Sequence, residues 1–492
     1  MANDGNAVVN IPAFRGLLQY GDGVGNDPRY AVECVNALVK EGLLRPMSEC
    51  ERLPGELKDP IETLARLHRR YHTLDGEKDV LIAASGGQLY WRLPKGDSWQ
   101  RIPVPPEFLG EEYRSSRWSW VTYEINPEGS AAPVDVLLMS NASDGMICIR
   151  GDDLSASMVE TPKKFGVIAR HAERIWGGAI MDDPDMLAYS APYDPFDWTQ
   201  NDEIPEDGAG DVLQPSWDGD SFTALASFGS QLMAFKRTRV WRVLGTDPGV
   251  YTFKEQYGGG AQYADTIAVD DTRILMLGPD GVHQYNGESV EPYMQEYAQA
   301  VFERMNPDAM HKACACIWRD TYYCAIPLDE SRDNNAVLLF DTAENTWTLR
   351  ENIAVEAFLP TEDALFFTGC EKPGSLWRWQ EDSLLTGAAI PMRWVGPWQD
   401  LGRKNLLKNG FSLYLTVDCR ETVTLHLGVE TEKKRRMKQI VFQPPARNAQ
   451  ARQKRLVFGG SGRRFRLIVQ SDTRVPWCLP GGVQLEAETD AD

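Results

Sequence analysis

No stretch of the 492-residue chain approaches the roughly 18 consecutive apolar residues needed for a membrane-spanning helix, so no membrane insertion is expected. The opening Met1–Pro12 has neither a basic n-region nor an apolar h-region, and no secretory signal is expected there. Cysteine is scarce: nine, an odd number spread thinly, do not make a disulfide framework and suit a reducing cytoplasm. Nucleotide and nucleophile motifs are missing. There is no G-x-x-x-x-G-K-[ST] loop and no G-x-S-x-G elbow, and the Ser-x-Asp-x-Gly-x-x-Trp turn of sialidase-like propellers is absent. Basic residues are unevenly withheld. From Ile175 to Phe235 there is not one Lys or Arg, while the same stretch carries twelve Asp and Glu.

What is present is enough to fold. The sequence is 42% hydrophobic with 15 Trp, 17 Tyr and 17 Phe, which excludes a disordered chain. The net charge of −20 divides sharply: residues 396–492 hold 17 Lys and Arg against 10 Asp and Glu, whereas the preceding 395 residues hold 34 against 61. An acidic body repels free nucleic acid, and an acidic body with a basic tail offers complementary faces for stacking copies. The plainer alternative is two solvated faces that keep the protein in solution.

Helical patterns are few. Asp59-Pro60-Ile61-Glu62 supplies an N-cap, a proline at N1 and an acid at N3, and Ile61, Leu64, Leu67 and Tyr71 follow at helical spacing, predicting a helix. A second is predicted over 291–306, with Tyr293, Tyr297, Val301 and Met305 on one face, and a weaker third over 31–40. The remainder reads as short strands punctuated by Gly, Pro, Asn and Asp. They recur as apolar strand, polar turn and aromatic-ended strand: 80–84 with 88–91, 136–139 with 146–149, 174–178 with 186–189, 224–228 with 232–235, 274–277 with 282–285, 313–318 with 322–326, and 364–367 with 376–379. About seven units at a period of roughly 35–55 residues predict an all-β fold, a β-propeller of degenerate blades. Beyond Pro391 longer alternating strands predict an antiparallel β-sandwich. The expected division is an N-terminal arm and helix (1–77), the propeller with an inserted helix (78–393) and a basic sandwich (394–492).

Candidate metal ligands are sparse. His311, Cys314, Cys316 and Cys324 lie close in sequence, but Cys314 and Cys316 alternate along an apolar strand, where cysteine packs as a small hydrophobe. His68 and His72 stand four apart without the Glu of H-E-x-x-H, and Asp211, Asp218 and Asp220 do not have EF-hand spacing. No catalytic, cofactor-binding or metal-binding residue is assigned, and no enzyme activity is expected. Two charged surfaces are proposed instead. One is an acidic channel or subunit-contact stretch with Asp182, Asp183, Asp185, Asp202, Glu203, Glu206, Asp207 and Asp211. The other is a basic docking patch with Lys433, Lys434, Arg435, Arg436, Arg463, Arg464 and Arg466, extended in sequence by Lys438, Arg447, Arg452, Lys454 and Arg455. The patch suits docking onto an acidic neighbour, such as another copy, better than reading of DNA bases.

One ordered set of motifs resembles a known family. Arg174-Ile-Trp-Gly-Gly178, then Asp183-Pro-Asp-Met-Leu-Ala-Tyr-Ser190, then Asp194-Pro-Phe-Asp-Trp198 is similar to a blade of bacteriophage tail propellers. Gly281-Val-His-Gln-Tyr-Asn-Gly287, Tyr322–Pro327, Asn335–Asp341 and Asn345-Thr-Trp347 continue in the family's order. The opening Phe14-Arg-Gly16, Asn36 and 42–46, and the closing 396–402 with Arg463–Arg466, resemble its two ends. The resemblance implies a structural virion protein, the tail hub or nozzle of a short-tailed phage, also called a packaged-DNA stabilisation protein. It implies a ring of six copies that contacts portal or connector (adaptor) proteins and other tail proteins, extends the portal channel and retains packaged double-stranded DNA. That DNA would be contacted without sequence specificity and conducted at ejection. The expected location is the virion tail, after assembly in the host bacterial cytoplasm. The alternative is a receptor- or glycan-binding propeller at a tail tip, with Trp91, Trp377 and Trp379 as sugar platforms; a propeller glycosidase comes third.

Overall fold

The structure is a computed structural model that describes residues 6–489, apart from 22, 109, 128–131, 215–218, 246–250, 370, 381–388, 402–403 and 446–452. Seven antiparallel sheets follow one another along the chain as propeller blades. The innermost strands are Ile61–His68, Ser119–Ile125, Val167–His171, Phe222–Phe228, Ala268–Val269, Cys314–Trp318 and Ala357–Pro360. Each neighbours the next, and the seventh returns to the first, so the ring is closed. Six blades draw four consecutive strands. The seventh draws three, Ala357–Pro360, Leu365–Thr368 and Leu376–Arg378, and takes its outer strand from Glu51–Arg52 near the N-terminus. Arg378 and Glu51 form an ion pair across that closure.

Each blade is apolar on both faces because it is sandwiched between two others. Leu137, Met139, Ile147 and Ile149 of blade 2 pack toward blade 1, whereas Val136, Leu138, Met146 and Cys148 pack toward blade 3. Every such buried aliphatic side chain contributes about 1.5–3 kcal/mol, so the ring is held by repeated inter-blade cores.

The sheet of blade 6 continues into the sandwich. The outer strand of blade 6, Thr346–Glu351, pairs in parallel with Glu33–Val35, and the sheet continues outward through Met392–Val395, Phe465–Ser471, Val423–Thr431 and Arg435–Phe442. This nine-stranded sheet is at once blade 6 and one layer of the sandwich. The opposing layer orders Asn6–Ile11, Val483–Thr489, Lys408–Leu415 and Lys454–Gly462.

Three expectations are corrected. The predicted helix near 59–71 is the inner strand of blade 1: buried on both faces, it loses strict alternation, and a bulge between Ile61 and Thr63 shifts its apolar residues into helix-like spacing. The ring therefore begins at Ile61 and not at 78, and the N-terminal arm supplies strands to blade 7 and to both sandwich layers. The expected 291–306 helix reduces to a 3-10 turn at Gln295–Tyr297 and one α-turn at Gln299–Phe302, because Val290–Pro292 is a strand and Met294 is left-handed (φ 47°). Segment 31–40 is two strands, Glu33–Val35 and Ala37–Lys40, hinged at Asn36 (φ 54°).

Candidate functional site

The acidic stretch is built by the motif that carries the family resemblance. Arg174, 2% exposed, donates to the carbonyl oxygens of Ser190 (2.7 Å), Gly208 (2.7 Å) and Glu206 (2.5 Å), pinning both ends of the 190–209 loop. Trp176 packs on Tyr189 and Tyr251, each at 4.9 Å between ring centroids. A Cβ at Gly177 would lie 2.4 Å from the Phe165 ring, which explains the glycine. Within the loop, Asp194 accepts from the Phe196 amide and Asp197 from the Thr199 amide, both at 2.9 Å. Trp198 packs on Phe165 at 5.1 Å.

The proposed acidic residues separate into two groups. Asp183 pairs with Lys163 at 2.5 Å, and Asp185 pairs with the buried Lys236. These carboxylates neutralise cations at blade junctions. Asp220 does the same, accepting from the backbone and side chain of Arg237 at 2.9 Å each. Asp182, Asp202, Glu203, Glu206, Asp207 and Asp211 are exposed. Asp202, Glu203, Glu206 and Asp207 lie in the loop that leads into the outermost strand of blade 3, Gly210–Leu213, Asp211 is on that strand, and Asp182 lies in the connection between the blade's second and third strands. Asp218 lies outside the described residues.

The basic patch occupies the far edge of the sandwich. Arg435–Phe442 is the last strand of the nine-stranded sheet, and Lys454–Gly462 is the last of the opposing sheet. Lys433, Lys434, Arg436, Arg463 and Arg464 are exposed there. Glu430 gathers Arg435 (3.1 Å) and Arg466 (2.8 Å); burial works against its charge, but these two hydrogen bonds prevail and hold its carboxyl below the usual range. Arg466 also stands over the Trp398 ring at 4.4 Å. A cleft of about 470 Å³ opens between the two edges beside Lys433, Lys434 and Arg436. Arg447 and Arg452 lie outside the described residues.

The sequence reading missed a third feature, because it is assembled from all seven blades. A funnel of about 420 Å³ opens at the leading ends of the innermost strands. Glu62, Arg117, Asp265, Lys312 and Glu356 ring it, and Trp120, Ile168, Leu225 and Phe358 also line it. Arg117 of blade 2 approaches Asp265 of blade 5 at 3.8 Å, an ion pair that spans the mouth. Asp265 keeps 66% of its side-chain exposure because the funnel is open, yet the surrounding walls displace bulk water and push its carboxyl up, with Arg117 pulling it partly back. Burial likewise raises Glu356, assisted by Glu62 and opposed by Arg117 and Lys312. None of the proposed acidic or basic residues lines this funnel.

The candidate metal ligands are dispersed. Cys314 and Cys316 pack toward blade 7, Cys324 packs into the core on the opposite face, and His311 is exposed. Burial pushes the Cys324 thiol up to about 12. His68 lies on a strand, 2.7 Å from Asp79, and not on a helix with His72. Among the described residues no group of three or more His, Cys, Asp or Glu is arranged to hold a metal ion. Trp379 is buried between blades 6 and 7, Trp377 stacks on Phe367, and Trp91 packs against the core between blades 1 and 2.

These observations define a seven-bladed β-propeller with a fused β-sandwich. No curated protein and no protein-family model matches the sequence. Solved structures similar to it include propellers. YCF48 from Cyanidioschyzon merolae is 8% identical, covering 61% of this chain and 79% of that one, with a TM-score of 0.28. The Pan2 WD40 domain of Neurospora crassa is 11% identical, covering 66% and 90%, with a TM-score of 0.33. The propeller domain of the Trilobed protease from Pyrococcus furiosus is 10% identical, covering 68% and 96%, with a TM-score of 0.34.

Proposed function

We propose that the protein is a structural, non-enzymatic component of a short-tailed phage particle, a tail hub or nozzle subunit that forms a ring around the DNA path. The observation that supports this most is the shared nine-stranded sheet. It joins an acidic propeller and a basic sandwich through one continuous sheet, which stiffens the body they form. A wall subunit needs that stiffness. An acidic surface also suits a passage for DNA, since each Lys or Arg that neutralised a phosphate would add affinity and hold the duplex back. Immunogold electron microscopy of lysate from the source culture, with antibody against this chain, tests the reading. Gold at the tail vertex of particles is expected; label confined to the soluble fraction, with particles bare, overturns it.

A glycan- or receptor-binding propeller is the second reading, favoured by the funnel, where the half-buried Trp120 stands near Glu62 and Glu356. An aromatic face beside carboxylates suits a sugar. Glycan-array binding abolished by Trp120→Ala, with unchanged thermal melting, would establish it.

A further inference from the structure

The two charged surfaces of one chain cannot reach each other. Blade 3, which carries the acidic rim, lies three blades from blade 6, close to diametrically opposite on a seven-blade ring. From blade 6 the shared sheet runs outward through five more strands to the basic edge at Arg435–Phe442. The acid and the base therefore mark opposite ends of the molecule.

Both ends also expose apolar side chains, which charged solvation alone does not call for. Beside Asp202–Asp211, Tyr193 is 76% exposed, Leu213 59% and Ile204 49%. On the basic edge strands, Val457 is 51% and Val441 49% exposed. In both places the outermost strand has no partner on its outer side among the described residues. Apolar side chains set among charges of one sign are the composition of a contact surface.

We infer that the basic edge of one copy, Arg435–Phe442 with Lys433 and Lys434, docks on the blade 3 rim of a second copy of this chain, head to tail. The contact is heterologous, since the two surfaces differ, and such contacts close into a ring when the rotation between copies permits. Opposite charges orient the encounter, and Tyr193, Ile204 and Leu213 against Val441 and Val457 exclude water from it. The inference deepens the ring reading and rests on it for biological context, but the contact itself is testable on the purified chain.

Two charge-reversed proteins make the test: Asp202→Lys/Glu203→Lys/Glu206→Lys/Asp207→Lys, and Lys433→Glu/Lys434→Glu/Arg436→Glu. All seven side chains are exposed, so thermal melting should stay at the wild-type value. Light scattering after size exclusion at low salt should show wild-type assemblies, and each variant alone should weaken self-association by roughly tenfold or more, because like charges then face each other. Mixing the two should restore assembly as an alternating array, since each reversed end then meets its complement. Ile204→Ser with Leu213→Ser should weaken assembly without altering charge. The inference falls if the wild type stays monomeric at all concentrations, if the variants assemble as the wild type does, or if the mixture fails to recover. Gold at the particle vertex alongside such a failure would keep the virion reading and discard only this contact.

Discussion

Arg174 illustrates how much a single buried cation organises. It has no carboxylate partner among its hydrogen bonds, and its guanidinium instead meets three main-chain carbonyls of the loop that displays the acidic rim. Charge-assisted bonds of this kind are each worth about 1.5–3 kcal/mol, and truncation also strands buried acceptors. Arg174→Ala should therefore destabilise the fold by about 3 kcal/mol or more, read from the midpoint of chemical denaturation, and should open residues 190–209 to limited proteolysis. A shift within experimental error would mean that the loop holds itself through its Asp194 and Asp197 turns. At this scale the sequence was informative. Arg174, Gly177 and Trp198 belong to the motifs that carry the family resemblance, and each has a definite packing or hydrogen-bonding duty. The sequence did not reveal that Asp183, Asp185 and Asp220 are taken up by Lys163, Lys236 and Arg237, because two of those cations lie beyond the acidic stretch and the third precedes it.

Among the elements, the N-terminal arm joins the two halves, and Asn36 is its anchor. Its side-chain amide donates to the Pro391 carbonyl at 3.0 Å and its oxygen accepts from the Glu351 amide at 2.9 Å, so one residue ties blade 6 to the strand that enters the sandwich. Its left-handed φ of 54° adds a second requirement that asparagine meets better than alanine. Asn36→Ala should cost about 2–4 kcal/mol, from two lost hydrogen bonds and backbone strain. Asn36→Gly should recover the strain but not the bonds and so lie between, as measured by equilibrium unfolding. Equal losses in the two variants would remove backbone strain from the account. The seven repeats and the sandwich strands were legible as local patterns of apolar residues and turns. Their long-range pairing was not: nothing near Glu51 or Glu33 indicates that they complete a blade and bridge two domains, because those partners lie more than 300 residues away. The strand misread as a helix belongs with these. Burial on both faces and one bulge erased the period-2 signal that marks a strand.

The funnel exists only at the scale of the whole ring, and its electrostatics give a pH dependence of definite sign. Burial raises the carboxyl of Glu356 above its ordinary 4.5 and that of Asp265 above 3.8. Below those ordinary values both carboxyls are protonated in folded and unfolded chains alike, and they place no charge on the fold. As pH rises through them, the unfolded chain ionises first and gains stability relative to the folded one. Once pH passes the higher folded values, a constant deficit remains. Glu356→Gln and Asp265→Asn should therefore raise the melting temperature near pH 7, and the gain should vanish near pH 4 and below. Asp152 provides the opposite case, since its hydrogen bond from Arg150 at 2.5 Å outweighs burial and holds its carboxyl below 3.8. Its contribution is complete above the ordinary value and is lost as pH falls through the depressed one, so Asp152→Asn should lower the melting temperature at neutral pH and cease to matter in acid. Melting curves of the three variants across this range separate the two behaviours. If Glu356→Gln and Asp265→Asn destabilise at neutral pH, then the attractions of Lys312 and Arg117 outweigh burial. The pair spanning the funnel mouth would in that case be a clasp that holds blades 2 and 5 in register.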